Sequence, residues 1–426
     1  MGPALQQSWR KNMTIHMGKS PAKSKADPAL SLYQLLDPEV LANPYPLYHR
    51  LRTEDPVHWD PFLHEWVVTR YADVVTVFKY FSAQRTPTPE QLTKLGMTVL
   101  KPFAQVMVRQ MVFLDPPAHG RIRELASKAF TPRRVEALRS HIQDITDSLL
   151  DAVQAQGRMD VIADVAYPLP AIVTAEMLGV SVSDRGQLKE WSEDFAELLG
   201  NFQYSPDRAQ HLLRSVEEMT AYFRAAVQEH CKHPRDDVIS ALVTAEQDGD
   251  RLTEEEIVAN CILVMVGGQE TTTNLIGNGL LSLLRHPDQL AKLRADPPLI
   301  SSAVEELLRY ESPIQHTARL APNDVELGEK TIQRGQTVIA VMGAANRDPE
   351  RFSDPDRLDI CRQDNRHVAF AYASHFCFGA PLARVEGQIA FETVLRRMPN
   401  LRLEPGPLVW RGNLDLRGLS ALPVTF

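Results

Sequence analysis

Cys377 is the residue whose surroundings first suggest chemistry. It lies in the stretch AFAYASHFCFGAPLARVEG, an aromatic and apolar loop that leads directly into a helix-forming segment. A free cysteine most often packs as an inert small hydrophobe. Its thiolate, in contrast, is a nucleophile and a metal ligand. Residues elsewhere in the chain must decide between these two interpretations.

A second candidate for chemistry is GGQETT, Gly267 to Thr272, within a long apolar segment. Two glycines inside a helix cost about 1 kcal/mol each relative to alanine. Close packing of a neighbouring helix is one explanation, and a groove for a ligand is the other. A carboxyl group at Glu270 beside a hydroxyl at Thr271 is the combination that a proton relay needs.

Several cations are candidates for binding an anion. His119 and Arg123 are spaced to share one helix face in DPPAHGRIREL, Arg319 lies in an apolar strand, and His375 precedes Cys377 by two positions. Together these cations are suited to a buried pair of carboxylates. Glu306 and Arg309 in SSAVEELLRY are spaced for an ion pair on one helix face, which by itself indicates no function.

The composition excludes several classes of protein. The 426 residues carry a net charge of −8, which argues against a nucleic-acid-binding protein. The four cysteines show no C-x-x-C spacing, which argues against structural zinc and disulfides and favours the reducing cytoplasm. No apolar run is long enough to span a membrane. We expect residues 1–27 to form a disordered basic tail and residues 28–426 to form one domain.

The periodicities predict a mainly α-helical fold with small β-sheets in one large domain. The longest predicted helix has Thr253 as its N-cap, with Glu256 completing a capping box. It continues through about 32 residues, or about 48 Å, and is apolar enough to cross the centre of the protein. Short strands with glycine turns follow Pro313.

These motifs and their order resemble those of the cytochrome P450 family, the haem-thiolate monooxygenases, and of its soluble bacterial members in particular. FAYASHFCFGAPLAR resembles the signature F-G-x-G-x-H-x-C-x-G-x-x-L-A-R, GGQETT resembles the oxygen-groove motif, and EELLR contains E-x-x-R. NRDPERF resembles the segment that completes the E-x-x-R network. Two signature glycines are replaced by Ala371 and Ala373, where a left-handed alanine would be strained.

The resemblance implies a haem b cofactor, iron protoporphyrin IX, with Cys377 as its axial thiolate below the long central helix. It implies that Glu270 and Thr271 deliver protons. It also implies two further groups of residues, one that binds the cofactor and one that stabilises the fold. The implied cofactor-binding residues are His119, Arg123, Arg319, His375, Phe370, Gly267 and Gly268, and the implied structural network is Glu306, Arg309 and Arg351.

The implied activity is hydroxylation or epoxidation of a hydrophobic small molecule by O2, with NAD(P)H-derived electrons from ferredoxin and ferredoxin reductase. A polyketide, macrolide or terpenoid intermediate is the expected substrate class. A cytoplasmic monomer without nucleic-acid or membrane partners is expected. The alternatives are a peroxide-driven haem enzyme, which needs no proton relay, and a non-catalytic haem-binding sensor.

Overall fold

A computed structural model describes residues 30–200, 206–247 and 249–426. The predicted N-terminal tail lies outside these residues. The α-helices are α1 (Pro38–Ala42), α2 (Tyr45–Glu54), α3 (Tyr71–Tyr80), α4 (Pro89–Lys94), α5 (Lys101–Met107), α6 (Ala118–Ala129), α7 (Pro132–Ala137), α8 (Arg139–Gln154), α9 (Pro168–Leu178), α10 (Arg185–Gly200), α11 (Pro206–Lys232), α12 (Val238–Thr244), α13 (Glu254–Arg285), α14 (Pro287–Ala295), α15 (Ile300–Tyr310), α16 (Met342–Ala345) and α17 (Ala380–Arg397).

The strands are short and form small sheets. They are β1 (Val57–Asp60), β2 (Glu65–Val68), β3 (Arg158–Asp160), β4 (Glu246–Gln247), β5 (Asp250–Arg251), β6 (His316–Leu320), β7 (Val325–Leu327), β8 (Lys330–Ile332), β9 (Thr337–Val341), β10 (Arg402–Leu403) and β11 (Pro423–Thr425). The largest sheet has the order β1-β2-β9-β6, with β2 and β9 parallel and the other pairs antiparallel. A second sheet has the order β10-β11-β3. The predicted mixture of many helices and small sheets is confirmed.

Helix α13 is the central element, as the sequence predicted. The side chain of Thr253 accepts from the backbone N–H of Glu256, and the side chain of Glu256 accepts from that of Thr253, so the predicted capping box is present. The helix has 32 residues and is buried along most of its length. It contacts α9, α10, α11, α15 and α17. A helix that is apolar on nearly all faces must be enclosed in this way.

Close contact between α13 and α17 places the central helix against the segment that follows Cys377. A Cβ atom added at Gly279 would lie 2.4 Å from the ring of Phe391, so only glycine allows this approach. Leu275, Leu280, Val385 and Phe391 belong to the same buried cluster. Among the described residues, no helix is both long enough and apolar enough to cross a membrane.

Candidate active site

The loop that ends at Cys377 turns back on itself before α17 begins. The backbone N–H of Cys377 donates to the carbonyl oxygen of Phe370 at 2.8 Å. Burial raises the pKa of the Cys377 thiol, whereas the N–H groups of Gly379 and Ala380 and the charge of Arg123 lower it. The sulfur therefore lies at the positive end of α17, where a thiolate is stabilised.

Ala371 and Ala373 both adopt the left-handed conformation that the family signature assigns to glycine. Their φ angles are 58° and 57°. Hydrogen bonds close a turn at each alanine, from the N–H of Ala371 to the carbonyl of Val368 and from the N–H of Phe376 to that of Ala373. The two substitutions therefore keep the path of the loop, and the two Cβ atoms strain the backbone.

A group of basic side chains lies beside this loop, and we name it the cationic cluster: Arg85, His119, Arg319 and His375. The rings of His119 and His375 are 4.2 Å apart, centroid to centroid. The guanidinium groups of Arg85 and Arg319 approach the same hydroxyl, that of Thr317, at 3.4 and 3.5 Å. Helix α6, strand β6 and the segment after α3 therefore bring positive groups to one place.

The cationic cluster has the chemistry of a site for a buried dianion. Burial lowers the pKa of Arg319 to about 9 and that of Arg85 to about 10, and for Arg319 the charge of Arg85 adds to this effect. Burial and the charge of Arg319 lower the pKa of His375 to about 3. Within the described chain, Arg85 Nη1, His119 Nε2 and Arg319 Nε are buried without hydrogen-bond partners. Buried donors without hydrogen-bond partners require acceptors, such as the two propionates of haem.

Arg123 lies next to this cluster but contacts the cysteine loop. Its Nη2 donates to the carbonyl oxygen of Phe376 at 2.7 Å, and its charge helps to lower the pKa of His119 and His375. Arg85, in contrast, was not predicted. It is a lone arginine in SAQRTPTP, and no local spacing relates it to Thr317, which is 232 residues away.

Glu306 is the centre of a buried ion-pair network, and one predicted member of that network is wrong. Arg309 donates to both carboxylate oxygens of Glu306 at 2.8 Å, and both side chains are fully buried. The third member is Arg362, whose Nε lies 3.1 Å from Glu306 Oε2. Arg351, the predicted member, pairs with Asp364 at 2.7 Å instead, because its side chain lies against Tyr71 near the surface.

Phe370 packs within the cysteine loop, and Arg384 on α17 contacts the ring of Phe370. The rings of Phe370 and Phe376 are 6.0 Å apart, and the guanidinium of Arg384 lies 4.7 Å from the ring of Phe370. Arg384 forms a two-pronged ion pair with Glu305 at 2.6 and 2.8 Å. Glu305, the neighbour of Glu306, therefore joins α15 to Arg384, the arginine of the cysteine motif.

Gly267 and Gly268 differ in what surrounds them. A Cβ atom at Gly267 would meet nothing within 4 Å, whereas one at Gly268 would lie 3.0 Å from Thr174 Oγ1. The hydroxyl of Thr271 donates to the carbonyl oxygen of Gly267 at 2.6 Å. Gly267 and Thr271 thus form one open face of α13, and the helix continues through them without a break.

Glu270 is buried on a different side of α13. Its Oε2 lies 2.6 Å from Nη1 of Arg411, which comes from the C-terminal part of the chain. Burial raises the pKa of Glu270, and the charge of Arg411 partly opposes that effect. The predicted relay pair is therefore adjacent in sequence, but its acid is engaged by an arginine that the sequence analysis did not assign.

Comparisons with known proteins agree with this arrangement. The family described as Cytochrome P450 matches residues 67–405. The biotin biosynthesis cytochrome P450 of Bacillus subtilis (strain 168) is 42% identical over 91% of this chain and 97% of its own length. The cytochrome P450 monooxygenase PikC of Streptomyces venezuelae is 41% identical over 96% of this chain and 97% of its own.

Solved structures give the same result for the fold. The structure of P450BioI with an acyl carrier protein ligated to hexadec-9Z-enoic acid has a TM-score of 0.86 and 43% identity, over 92% of this chain and 100% of that one. PksS of the Bacillus subtilis 168 bacillaene polyketide synthase has a TM-score of 0.82 and 36% identity, over 92% of this chain and 98% of that one. The chain therefore belongs to the cytochrome P450 family and is a monooxygenase with the P450 fold, as its motifs predicted.

Proposed function

We propose that this protein binds haem b through Cys377 and hydroxylates or epoxidises a hydrophobic natural-product intermediate. The observation that carries the proposal is the juxtaposition of Cys377, at the N-terminus of α17, with a cationic cluster whose buried donors lack acceptors. A planar dianionic cofactor with an iron atom satisfies both features at once. Bound haem supplies the chemistry of oxygen activation and insertion.

The residues of the chain have distinct roles in this proposal. Cys377 provides the thiolate, and the N–H groups of Gly379 and Ala380 and the charge of Arg123 partly oppose the burial that raises the pKa of its thiol. Arg85, His119, Arg319 and His375 hold the propionates, while Arg123 braces the cysteine loop through Phe376. Neutral imidazoles at His119 and His375 can still donate hydrogen bonds, so the low pKa of each is compatible with this role.

Gly267, Gly268, Glu270 and Thr271 serve the distal side. The space beside Gly267 leaves room for O2 and for substrate. The hydroxyl of Thr271 is positioned by the carbonyl oxygen of Gly267 and can pass a proton into that space. Glu270, whose pKa is raised by burial, holds a proton near neutral pH more readily than an exposed carboxyl group does.

The names of relatives support the proposed substrate class. Relatives at this similarity are named for biotin biosynthesis and for polyketide biosynthesis. One solved relative, P450BioI, is in complex with an acyl carrier protein ligated to hexadec-9Z-enoic acid. We infer a polyketide, macrolide or terpenoid intermediate, or a long acyl chain of similar size, as the substrate.

Electrons are proposed to come from ferredoxin and its reductase, with the protein acting as a monomer. We propose the basic segment of α6 and α7 as the docking surface, and part of its charge is used within the chain. Arg121 pairs with Asp250 and Glu256, and Arg134 pairs with Asp236. Lys128, whose Nζ also donates to the carbonyl oxygen of Glu246 at 2.7 Å, and Arg133 are exposed and are the proposed contacts for an acidic ferredoxin.

Turnover with two oxidant systems tests the function against its alternatives. Purified protein is supplied with a surrogate ferredoxin, reductase and NADPH, or with hydrogen peroxide alone, and a set of polyketide, terpenoid and fatty-acid substrates is screened by mass spectrometry. The proposal expects products heavier by one oxygen with ferredoxin. Products with peroxide alone would identify the peroxide-driven alternative. Reversible ligand binding to haem without product in either system would identify a sensor.

A further inference from the structure

Residues 411–418 form a loop that closes one side of a cavity beside α13, and we name it the wall loop. The cavity has a volume of about 270 Å³. Ala196 from α10 and Glu270 from α13 line other sides of it, and the wall loop contributes Asn413 and Leu416 among others. Because the proposed function places Glu270 on the distal side of the haem, a shift of this loop changes the space that a substrate can fill.

Backbone contacts hold both ends of the wall loop. The N–H of Arg411 donates to the carbonyl oxygen of Gly418 at 2.9 Å. The N–H of Arg417 donates to the carbonyl oxygen of Pro313 at 2.8 Å. A Cβ atom at Gly418 would lie 1.9 Å from Oδ1 of Asn274, so only glycine fits where the loop meets α13. The fixed end of the loop at Gly418 is therefore next to the side chain of Arg417.

Arg417 belongs to a stack in which aromatic rings and guanidinium groups alternate. Its Cζ lies 3.6 Å from the ring centre of Trp410 and 5.9 Å from that of Tyr45. The Cζ of Arg347 lies 3.4 Å from the ring centre of Tyr45 and 4.0 Å from that of Tyr310. Cation–π contacts of this kind are stronger where water is excluded. We name these five residues the arginine stack.

One carboxylate lies between the two guanidinium groups of the arginine stack. Glu311 accepts from Nε of Arg417 and lies 4.0 Å from Nη2 of Arg347. It also accepts from the hydroxyl of Tyr45 at 2.8 Å. Burial raises the pKa of Glu311, but the two arginines outweigh burial and lower the pKa overall. The side chains of Arg417, Arg347 and Glu311 are 5%, 7% and 12% exposed, so water is largely excluded from the stack.

Arg417 also joins the wall loop to α1. Its Nη1 donates to the carbonyl oxygen of Leu41 at 2.6 Å, and its Nη2 donates to that of Ala42 at 2.9 Å. These are the last two residues of α1, whose carbonyl groups have no acceptor role within the helix. Arg347, at the other end of the stack, donates instead to the carbonyl oxygen of Tyr310 at 2.7 Å. The two arginines of the stack therefore hold different segments of the chain.

We propose that Arg417 is a positioning residue for substrate selection, which holds the wall loop at the distance from α13 that suits a bulky substrate. This inference rests on the proposed function, because it needs a haem on whose distal side the cavity lies. The side chain of Arg417 points towards α1 and Trp410, and it acts on the cavity through Leu416, its neighbour in the chain. A preorganised wall costs a ligand less order on binding than a mobile one.

The first experiment measures the mobility of the wall loop in the haem-loaded protein by amide hydrogen exchange. Arg417→Met should speed the exchange of residues 411–418 about tenfold, because the loop loses its side-chain anchor. Arg417→Lys should restore only part of the protection, because an ammonium group cannot stack and donate in three directions as a guanidinium does. Unchanged exchange in Arg417→Met would overturn the proposal.

Arg347→Met is the matched control for this experiment. It removes a buried guanidinium group from the same stack, but one that donates to Tyr310 rather than to α1. It should change the exchange of residues 411–418 by less than about twofold. Equal acceleration in Arg347→Met and Arg417→Met would show a general loosening of the fold and would also overturn the role of Arg417.

Trp410→Leu tests the same anchor where Arg417→Met fails to fold. Trp410 is half-buried, and its replacement leaves the ion pair of Arg417 and Glu311 in place. Exchange of the wall loop should rise about threefold. Val409→Ala, at the neighbouring exposed position, should leave that exchange unchanged. The absence of any difference between these two variants would contradict the anchor.

The second experiment measures what the wall loop does for ligands. Imidazole and clotrimazole, a bulky imidazole with three aromatic rings, bind haem iron through nitrogen, and the shift of the Soret band gives each dissociation constant. Arg417→Met should weaken clotrimazole about fivefold and leave imidazole unchanged, because only the bulky ligand extends to the cavity wall. Arg347→Met should change neither constant. An unchanged clotrimazole constant in Arg417→Met would overturn the role in substrate selection.

The two proposals fail in different ways. If imidazole gives no Soret shift in the wild type, the haem site of the proposed function is wrong, and hydrogen exchange still decides what holds the wall loop. If imidazole binds equally to the wild type and to Arg417→Met, while loop exchange and clotrimazole binding are also unchanged, the proposed function stands and the role of Arg417 is wrong.

Discussion

Thr271 donates its hydroxyl hydrogen to the carbonyl oxygen of Gly267, one turn earlier in α13, at 2.6 Å. This bond holds the hydroxyl on the helix face where a Cβ atom at Gly267 would meet open space. Glu270, the preceding residue, is turned away and paired with Arg411. The alcohol and the acid of the proposed relay therefore lie on different faces of one helix.

The role of Thr271 predicts that Thr271→Ala keeps haem binding but diverts electrons to hydrogen peroxide. Loss of a positioned proton donor typically costs about 10²- to 10⁴-fold in the step that it serves. Peroxide released per NADPH is the measurement. Thr273→Ala is the matched control, because its hydroxyl makes the same kind of bond, to Gln269, on a buried face. Full product yield in Thr271→Ala would contradict the assigned role.

The left-handed alanines predict that glycine stabilises the cysteine loop. A left-handed alanine costs about 1–2 kcal/mol, which glycine avoids. Glycine also gives the unfolded chain more backbone freedom, and this effect offsets about 0.5–1 kcal/mol of the gain. Ala371→Gly and Ala373→Gly should each raise the free energy of unfolding by about 1 kcal/mol or less. Urea unfolding of the haem-loaded protein measures this. Ala369→Gly, in the same loop without a positive φ, should be destabilising. Equal effects at all three positions would argue against backbone strain.

The network at Glu306 predicts different losses of stability for replacing its observed member, Arg362, and for replacing Arg351, the member that the sequence predicted. Arg362→Leu leaves a buried carboxylate with fewer donors, which costs about 1–3 kcal/mol. Arg351→Leu removes a pair with the exposed Asp364, which costs less than about 1 kcal/mol. Thermal unfolding of the two variants gives the comparison directly. A larger loss for Arg351→Leu would show that the predicted network was right and the observed one wrong.

The cationic cluster predicts that Arg85 contributes to haem retention. Arg85→Leu should release haem to an excess of apomyoglobin at least tenfold faster than the wild type, and Arg85→Lys should restore part of the difference. Arg133→Leu, at an exposed position of α7, is the control for loss of one positive charge. An unchanged release rate in Arg85→Leu would remove Arg85 from the cofactor site.

Local patterns predicted the parts of the site that depend on neighbouring residues. Residues within one or two helical turns determine three of these features. They are the capping box of α13, the glycine pair, and the spacing that lets Glu306 and Arg309 form an ion pair. The left-handed path at Ala371 and Ala373 could also be predicted, because the signature positions demand it.

The residues that the sequence analysis missed act across long separations. Arg85 approaches Thr317, Arg411 reaches Glu270, and Arg362 replaces Arg351 at Glu306. Each is one of many arginines in the chain, and only the packing of distant segments distinguishes it from a solvated side chain. Arg85 and Thr317 are 232 residues apart in sequence, and Arg411 and Glu270 are 141 apart. No periodicity or motif could indicate either pairing.

The absorption spectrum of the reduced protein with carbon monoxide tests the central claim most directly. If Cys377 ligates haem as a thiolate, the Soret band will lie at the red-shifted position that gives the family its name. Cys377→His should move the band to the ordinary haem position, and Cys361→Ser should leave it unchanged. A wild-type band at the ordinary position, or a red-shifted band that survives Cys377→His, would contradict the account.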